Sequence, residues 1–303
     1  MKALIHRSVL GLWLGALACT ANAAQPCVAT AADYKTCIAN LYRQPVAQWP
    51  APTVDADVQW QEMAALPAHA PAPPDNPFSD AKAALGKKLF NDPKLSRSGQ
   101  IACASCHEAD LAFADGRRVS FGHDRQSGRR NAPSLVMSGY SAALFWDGRG
   151  GSLEQQAMHP IIDPVEMAFD IPQLLQRLNS DTSYGTQFAE VFGPGPITQE
   201  KTAQALATFQ RTLVTATRTT AFEQLLRGRP QRMSEEQLYG LHLFRTKARC
   251  MNCHFGPALS DEQFHNVGLS YYGRKYEDLG RYQVTGKPED VGAFRTPSLR
   301  LVS

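Results

Sequence analysis

The chain has 303 residues, enough for two domains of ordinary size, each with its own core. Its formal charge is +3, from 31 basic and 28 acidic residues scattered without a basic stripe, which argues against nucleic acid as a partner. No stretch after the N-terminal leader is apolar enough to span a bilayer, so no membrane span is expected.

In chain order, residues 1–23 read as a secretory signal. Lys2, His6 and Arg7 precede an apolar run from Val9 to Ala18, and Ala21-Asn22-Ala23 offers small residues for cleavage. Leu17 argues against a lipid anchor at Cys19. Lys2 and Arg7 account for two of the three net charges, so the mature chain is close to neutral, and a periplasmic location is expected. Of the seven cysteines, Cys27 and Cys37 are placed for a small disulfide in an oxidising compartment, a bond that sequence alone does not establish. Residues 24–77 read as an arm and linker, extended where Pro71, Pro73 and Pro74 crowd together.

Ser79 is placed to cap a helix carrying Ala81, Leu85 and Leu89, which Asn91-Asp92-Pro93 ends. Helical spacing recurs after Asp170, after Thr198 and after Ser234, and Ser234 and Gln237 have the spacing of a capping box. Strand-like alternation is scarce. The expected class is therefore mainly α with long loops, of the kind that usually surround a ligand.

The chemistry lies in two five-residue segments. Cys103-Ala104-Ser105-Cys106-His107 and Cys250-Met251-Asn252-Cys253-His254 both read Cys-x-x-Cys-His, the attachment signal for c-type haem. Two thiols one turn apart can add to the two vinyl groups of one porphyrin, and the adjoining His107 or His254 then serves as the proximal iron ligand. Zinc and redox dithiol sites also use Cys-x-x-Cys. Chance, however, would supply roughly 0.004 copies of the full motif at this composition, and the long separation between the pairs is unlike a compact zinc finger.

The sequence resembles the bacterial di-haem cytochrome c peroxidase family, which includes the methylamine-utilisation protein MauG. The likeness runs from about Asn76 to the chain end. Its landmarks are LGKKLF from Leu85, RNAPS from Arg130, FWDGR from Phe145, PVEM from Pro164 and FRTPSLR from Phe294. It implies two cytochrome-c-like haem domains, a peroxidatic one over 78–228 and an electron-transfer one over 229–303. It also implies reduction of hydrogen peroxide by a small periplasmic donor, a c-type cytochrome or cupredoxin. Side-chain oxidation of a partner protein, as in MauG, is the alternative activity, and a di-haem electron carrier the non-enzymatic one. A homodimer is a further implication of the family.

The resemblance also assigns roles. Glu166 matches the distal acid, Gln156 its neighbour, and Trp146 the aromatic ring between the haems; unaided, these would read as a turn residue and ordinary core or surface groups. His123 stands where many of the peroxidases carry a loop histidine that ligates the first iron at rest, against the plainer reading of a solvated side chain. Asn131, with carbonyls at Thr296 and Pro297, matches a calcium site, and Asn131 reads equally as a turn residue. His265 and Arg295 are candidates for the second haem's propionates. His159 replaces a glycine of many relatives and receives no role, and His242 reads as structural.

One departure stands out. The family's second haem takes a methionine or tyrosine as sixth ligand from a segment following TPSLR, and this sequence stops at Ser303, three residues past that motif. Neither Met251 nor Met233 matches the position. The expectation is thus of an incomplete C-terminal domain and a longer native chain.

Overall fold

The computed structural model describes residues 27–30, 32–214 and 220–301. The leader expected over 1–23, Cys19 included, lies outside the described residues. The fold is mainly helical; the one sheet among the described residues is a two-residue antiparallel pair, β1 (Phe264–His265) with β2 (Phe294–Arg295), in which Phe264 faces Arg295 and His265 faces Phe294.

One helical assembly surrounds the first cysteine pair. Its helices are α2 (Asp80–Asn91), α3 (Leu153–Ile162), α4 (Ile171–Asn179), α5 (Thr182–Phe192) and α6 (Gln199–Arg211). The starts of α2, α4 and α6 follow from local chemistry, since Ser79, Asp170 and Thr198 each accept a backbone amide three residues on. Leu85, Leu89 and Phe90 of α2 meet Leu206 and Phe209 of α6 in a core that Ile161, Leu174, Leu178 and Phe188 complete. Gly86 makes the α2–α6 crossing possible. A Cβ there would sit 1.9 Å from the Ala205 carbonyl oxygen, so only a residue without a side chain lets the two backbones approach.

A second assembly joins α1 (Tyr34–Tyr42), α7 (Ala221–Leu226) and α8 (Glu235–Arg245). The capping box of Ser234 and Gln237 is formed at the start of α8. The arm is not extended throughout: residues 34–42 are helical because Ile38 and Tyr42 bury against Leu238 and Leu241 of α8, a tertiary gain that outweighs the lack of a side-chain cap. The Cys27–Cys37 disulfide is formed and ties the chain before α1 to its middle. Leu225 and Leu226 pack in this second cluster, together with Trp49 and Met63 of the arm.

The proline-rich stretch runs from the second assembly to the first without a helix. Arg245, fully buried, pairs with Glu62 at 2.5 and 2.8 Å, and the amide of Ala70 donates to Arg211. Further on, Asn76 is buried between Glu154 and Lys82.

Candidate haem sites and the cavity between them

The two Cys-x-x-Cys-His segments fold alike. Cys103–Ser105 and Cys250–Asn252 each form one turn of 3-10 helix, and the following histidine amide returns to the first cysteine's carbonyl, at 3.1 Å for His107 and 2.9 Å for His254. Nδ1 of His107 lies 2.8 Å from the Phe113 carbonyl oxygen, and Nδ1 of His254 lies 3.0 Å from that of Leu259. A carbonyl can only accept, so each Nδ1 carries the proton and the lone pair sits on Nε2, the tautomer that ligates a metal. Burial lowers the His107 pKa and keeps the ring neutral, as a ligand must be.

The rival chemistries fail on geometry and charge. Burial pushes the Cys103 thiol up to about 12, the opposite of what a reactive dithiol requires. Nor do the four cysteines converge. Among the described residues the one three-ligand cluster is Cys253, Asp261 and His265, and its sulfur belongs to the second haem motif.

Cys103, Cys106 and His107 line a cavity of about 670 Å³, within the range of cofactor sites. Glu166, Gln156, Trp146 and Asn131 line the same cavity, so four of the residues picked out by resemblance share one space with the first motif. Burial, and then the neighbouring Asp163, raises the Glu166 pKa. Gln156 Oε1 and Arg295 Nε are buried without a hydrogen-bond partner, and both residues line the cavity. Buried, unpaired polar atoms on a wall that mixes apolar and polar side chains fit a large apolar group with polar edges, as haem is.

Trp146 is held at both ends: its indole N–H donates to the Asn131 carbonyl at 3.2 Å, and its own carbonyl accepts the Arg295 amide at 2.9 Å. The next residue, Asp147, binds Arg130, whose guanidinium also makes a two-toothed contact with Asp278 at 2.7 and 2.8 Å. Arg130, Asp147 and Asp278 were not singled out as site residues from sequence. Arg130 and Asp147 stood only within landmarks, and the carboxylate partners of Arg130 are 17 and 148 positions away.

His123 is placed otherwise than a resting-state ligand would be. It is not among the cavity-lining residues; it lines a neighbouring hollow with its side chain largely buried, Nε2 3.5 Å from Asp124 and Nδ1 buried without a hydrogen-bond partner. Its amide donates to both the Val165 and Glu166 carbonyls, which ties the backbone of this loop to the turn that carries Glu166. Gly122 makes the contact possible, since a Cβ there would meet the Val165 oxygen at 2.2 Å.

The candidates for the second haem's propionates also differ from expectation. His265 Nε2 lies 2.7 Å from Asp261, whereas Arg295 lines the first cavity, with Glu262 at 3.3 Å. Of the groups expected at a calcium site, the Thr296 carbonyl accepts the Ser260 hydroxyl at 2.7 Å, and the backbone carbonyl of Asn131, whose side chain is the expected ligand, accepts the Trp146 indole N–H. His159 sets its ring edge against Phe145 and lines a surface hollow rather than the cavity. His242 is hydrogen-bonded to the buried Tyr42.

Two matching Cys-x-x-Cys-His turns on a mainly helical frame define a protein of the c-type di-haem class. The chain belongs to the di-haem cytochrome c peroxidase family, which residues 80–231 match. It is 40% identical over 255 residues to the methylamine utilization protein MauG of Methylophilus methylotrophus, covering 82% of this chain and 73% of that one. Identity to the cytochrome c551 peroxidase of Nitrosomonas europaea is 37% over 219 residues, covering 72% and 65%. Among solved structures it is similar to a MauG-like protein associated with microbial copper homeostasis, with a TM-score of 0.71, 32% identity, and coverage of 82% and 75%. The protein is accordingly an oxidoreductase of the cytochrome c peroxidase type, and among its described residues no helix is long and apolar enough to cross a membrane.

Proposed function

We propose that this protein reduces hydrogen peroxide to water in the periplasm, using electrons from a small c-type cytochrome or cupredoxin. The observation that carries the reading is the meeting of Glu166 and Gln156 with the first haem motif in one cavity. In this reading Cys103, Cys106 and His107 hold the peroxidatic haem of an N-terminal domain, and Cys250, Cys253 and His254 hold the electron-transfer haem of a C-terminal domain. When bound, the haem iron supplies the site at which the peroxide O–O bond is cleaved.

The chain's own groups do the rest. Glu166, ionised, would take a proton from one oxygen of peroxide and deliver it to the other. Gln156 orients peroxide through its unpaired amide oxygen. Trp146, clamped between Asn131 and Arg295, would assist electron passage between the two haems once both are bound.

One observation favours the second reading, a MauG-like oxidation of a partner protein's side chains: His123 does not line the cavity of the first motif, in keeping with a first site that is open without prior reduction. A peroxidase assay on half-reduced and fully oxidised protein, with a reduced cytochrome or cupredoxin as donor, separates the two. Donor oxidation coupled to peroxide loss is the expected result. Absence of donor turnover in either state, with both haems bound, would defeat the peroxidase reading.

A further inference from the structure

Away from the cavity, aromatic rings form an unbroken series between the core of the second assembly and its surface. Trp49 and Tyr42 lie with their ring centres 5.3 Å apart, and both belong to the buried cluster that contains Met251, the residue after Cys250. Tyr42 stands 5.9 Å from His242, His242 6.2 Å from Tyr239, and Tyr239 6.2 Å from Tyr34. Tyr42 is fully buried, whereas Tyr239 and Tyr34 are half-buried. The phenol oxygen of Tyr42 is 3.2 Å from Nδ1 of His242, within reach for proton transfer.

We propose that this series is a redox relay that carries oxidising equivalents from the second haem site to the protein surface when peroxide is present and the electron donor is not. The inference rests on the peroxidase reading, which supplies the oxidant. Reduction of one peroxide to two waters takes two electrons and two protons, and two tyrosine side chains can supply both. One electron leaves Tyr42 towards the second haem; its O–H bond breaks and the proton passes to Nδ1 of His242. Oxidised Tyr42 then takes an electron and a proton, the electron coming from Tyr239 or Tyr34. The surface phenol releases its own proton to water, and the oxidised tyrosine ends where an external reductant can reach it.

The surroundings select the carrier. The guanidinium of Arg245 stands 5.3 Å from the Trp49 ring centre and 5.9 Å from that of Tyr42. A cation over these faces opposes a positively charged indole radical, but not a tyrosyl that has given up its proton. Glu62 neutralises Arg245 on its other side. His242 is able to accept because burial, followed by Arg245, lowers its pKa and leaves it neutral near pH 7.

The test is freeze-quench electron paramagnetic resonance of the two-haem protein mixed with hydrogen peroxide without donor, followed by mass spectrometry of tyrosine oxidation. A tyrosyl signal with oxidation products at Tyr34 or Tyr239 is expected. Tyr42→Phe should abolish both, and its haems should bleach faster, while turnover with donor present stays unchanged. The double substitution Tyr34→Phe and Tyr239→Phe, which leaves the core untouched, should hold the radical at Tyr42 and remove the surface products. Haem spectra that respond to peroxide with no tyrosyl signal, or a signal and products indifferent to these substitutions, would overturn the relay alone. Spectra that do not respond to peroxide in any oxidation state would overturn the peroxidase reading and the relay with it.

Discussion

The amide of His123 donates to the carbonyl oxygen of Glu166 at 2.8 Å and, from the same hydrogen, to that of Val165 at 2.9 Å. The loop that carries the family's candidate resting-state ligand is thus sewn to the turn that carries the candidate distal acid. A displacement of the His123 backbone must therefore either break these bonds or carry the Glu166 turn with it.

Gly122 is the point at which this coupling can be disturbed. An added methyl group would meet the Val165 oxygen at 2.2 Å and the Glu166 Cα at 2.6 Å, backbone atoms that do not give way easily. Gly122→Ala is expected to cost roughly 1–3 kcal/mol in stability. It should also lower peroxide turnover by displacing Glu166, while leaving both haems attached. Denaturant unfolding alongside a peroxidase assay checks this, and a variant with ordinary stability and turnover would show that the loops are not coupled.

Glu166 should govern the acid limb of turnover. Its pKa is raised, chiefly by burial, and the reaction requires the ionised form at the start. The rate should therefore fall as pH drops through a value above the ordinary carboxylate range. In Glu166→Gln that limb should vanish and turnover should drop roughly 10²–10⁴-fold. The pH profile of kcat/KM in the two proteins, with haem content measured in parallel, decides it.

The site was more legible in the sequence than the fold that positions it. Cys103 to His107 and Cys250 to His254 are contiguous, so their chemistry and turn geometry are both local. The helices with a capping side chain and regular apolar spacing, α2, α4, α6 and α8, were legible for the same reason. By contrast, α3 carries Pro160, which removes a helical amide, and α5 carries Gly185. The helix α1 owes its existence to α8, about 200 residues away. Position was the hardest to read: the backbone of the His123 loop is tied to Val165 and Glu166, and Arg295 is brought to the first cavity by the pairing of β2 with β1. Both depend on contacts between distant segments, which a motif does not contain.

Acid stability should follow Glu154. Burial alone would raise its pKa, but hydrogen bonds from Arg211 and Asn76, joined by the Arg211 charge, outweigh that and hold it below the ordinary value of 4.5. A depressed folded-state pKa means that the unfolded chain binds more protons in acid. The stabilisation is thus present above about pH 4.5 and is lost as pH falls through the folded value. Glu154→Gln should cost roughly 2 kcal/mol at neutral pH. Its stability should change less than that of the parent across the acid window, and the two curves should converge at low pH. Urea titrations at a series of pH values measure this, and parallel curves would show that Glu154 contributes no such linkage.

Arg130 connects the Trp146 turn to the later part of the chain. Its side chain is 18% exposed, as is that of Asp278, while Asp147 is 7% exposed. Water therefore screens these contacts poorly, and removal of the shared cation leaves two carboxylates to be accommodated. Asp147 keeps Arg149 at 3.0 Å, whereas among the described residues no second ion-pair partner of Asp278 is found. The larger loss should accordingly fall on the Asp278 side. Arg130→Ala is expected to destabilise the protein by roughly 3 kcal/mol and to loosen Trp146, which depends on the same segment through Asn131. Arg130→Lys should recover part of the stability, because one ammonium can satisfy only one carboxylate well where the guanidinium reaches both. Denaturant unfolding and the rate of electron passage between the haems after flash reduction give independent readouts. If Arg130→Ala unfolds earlier but passes electrons at the parent rate, the clamp is structural and Trp146 does not need it.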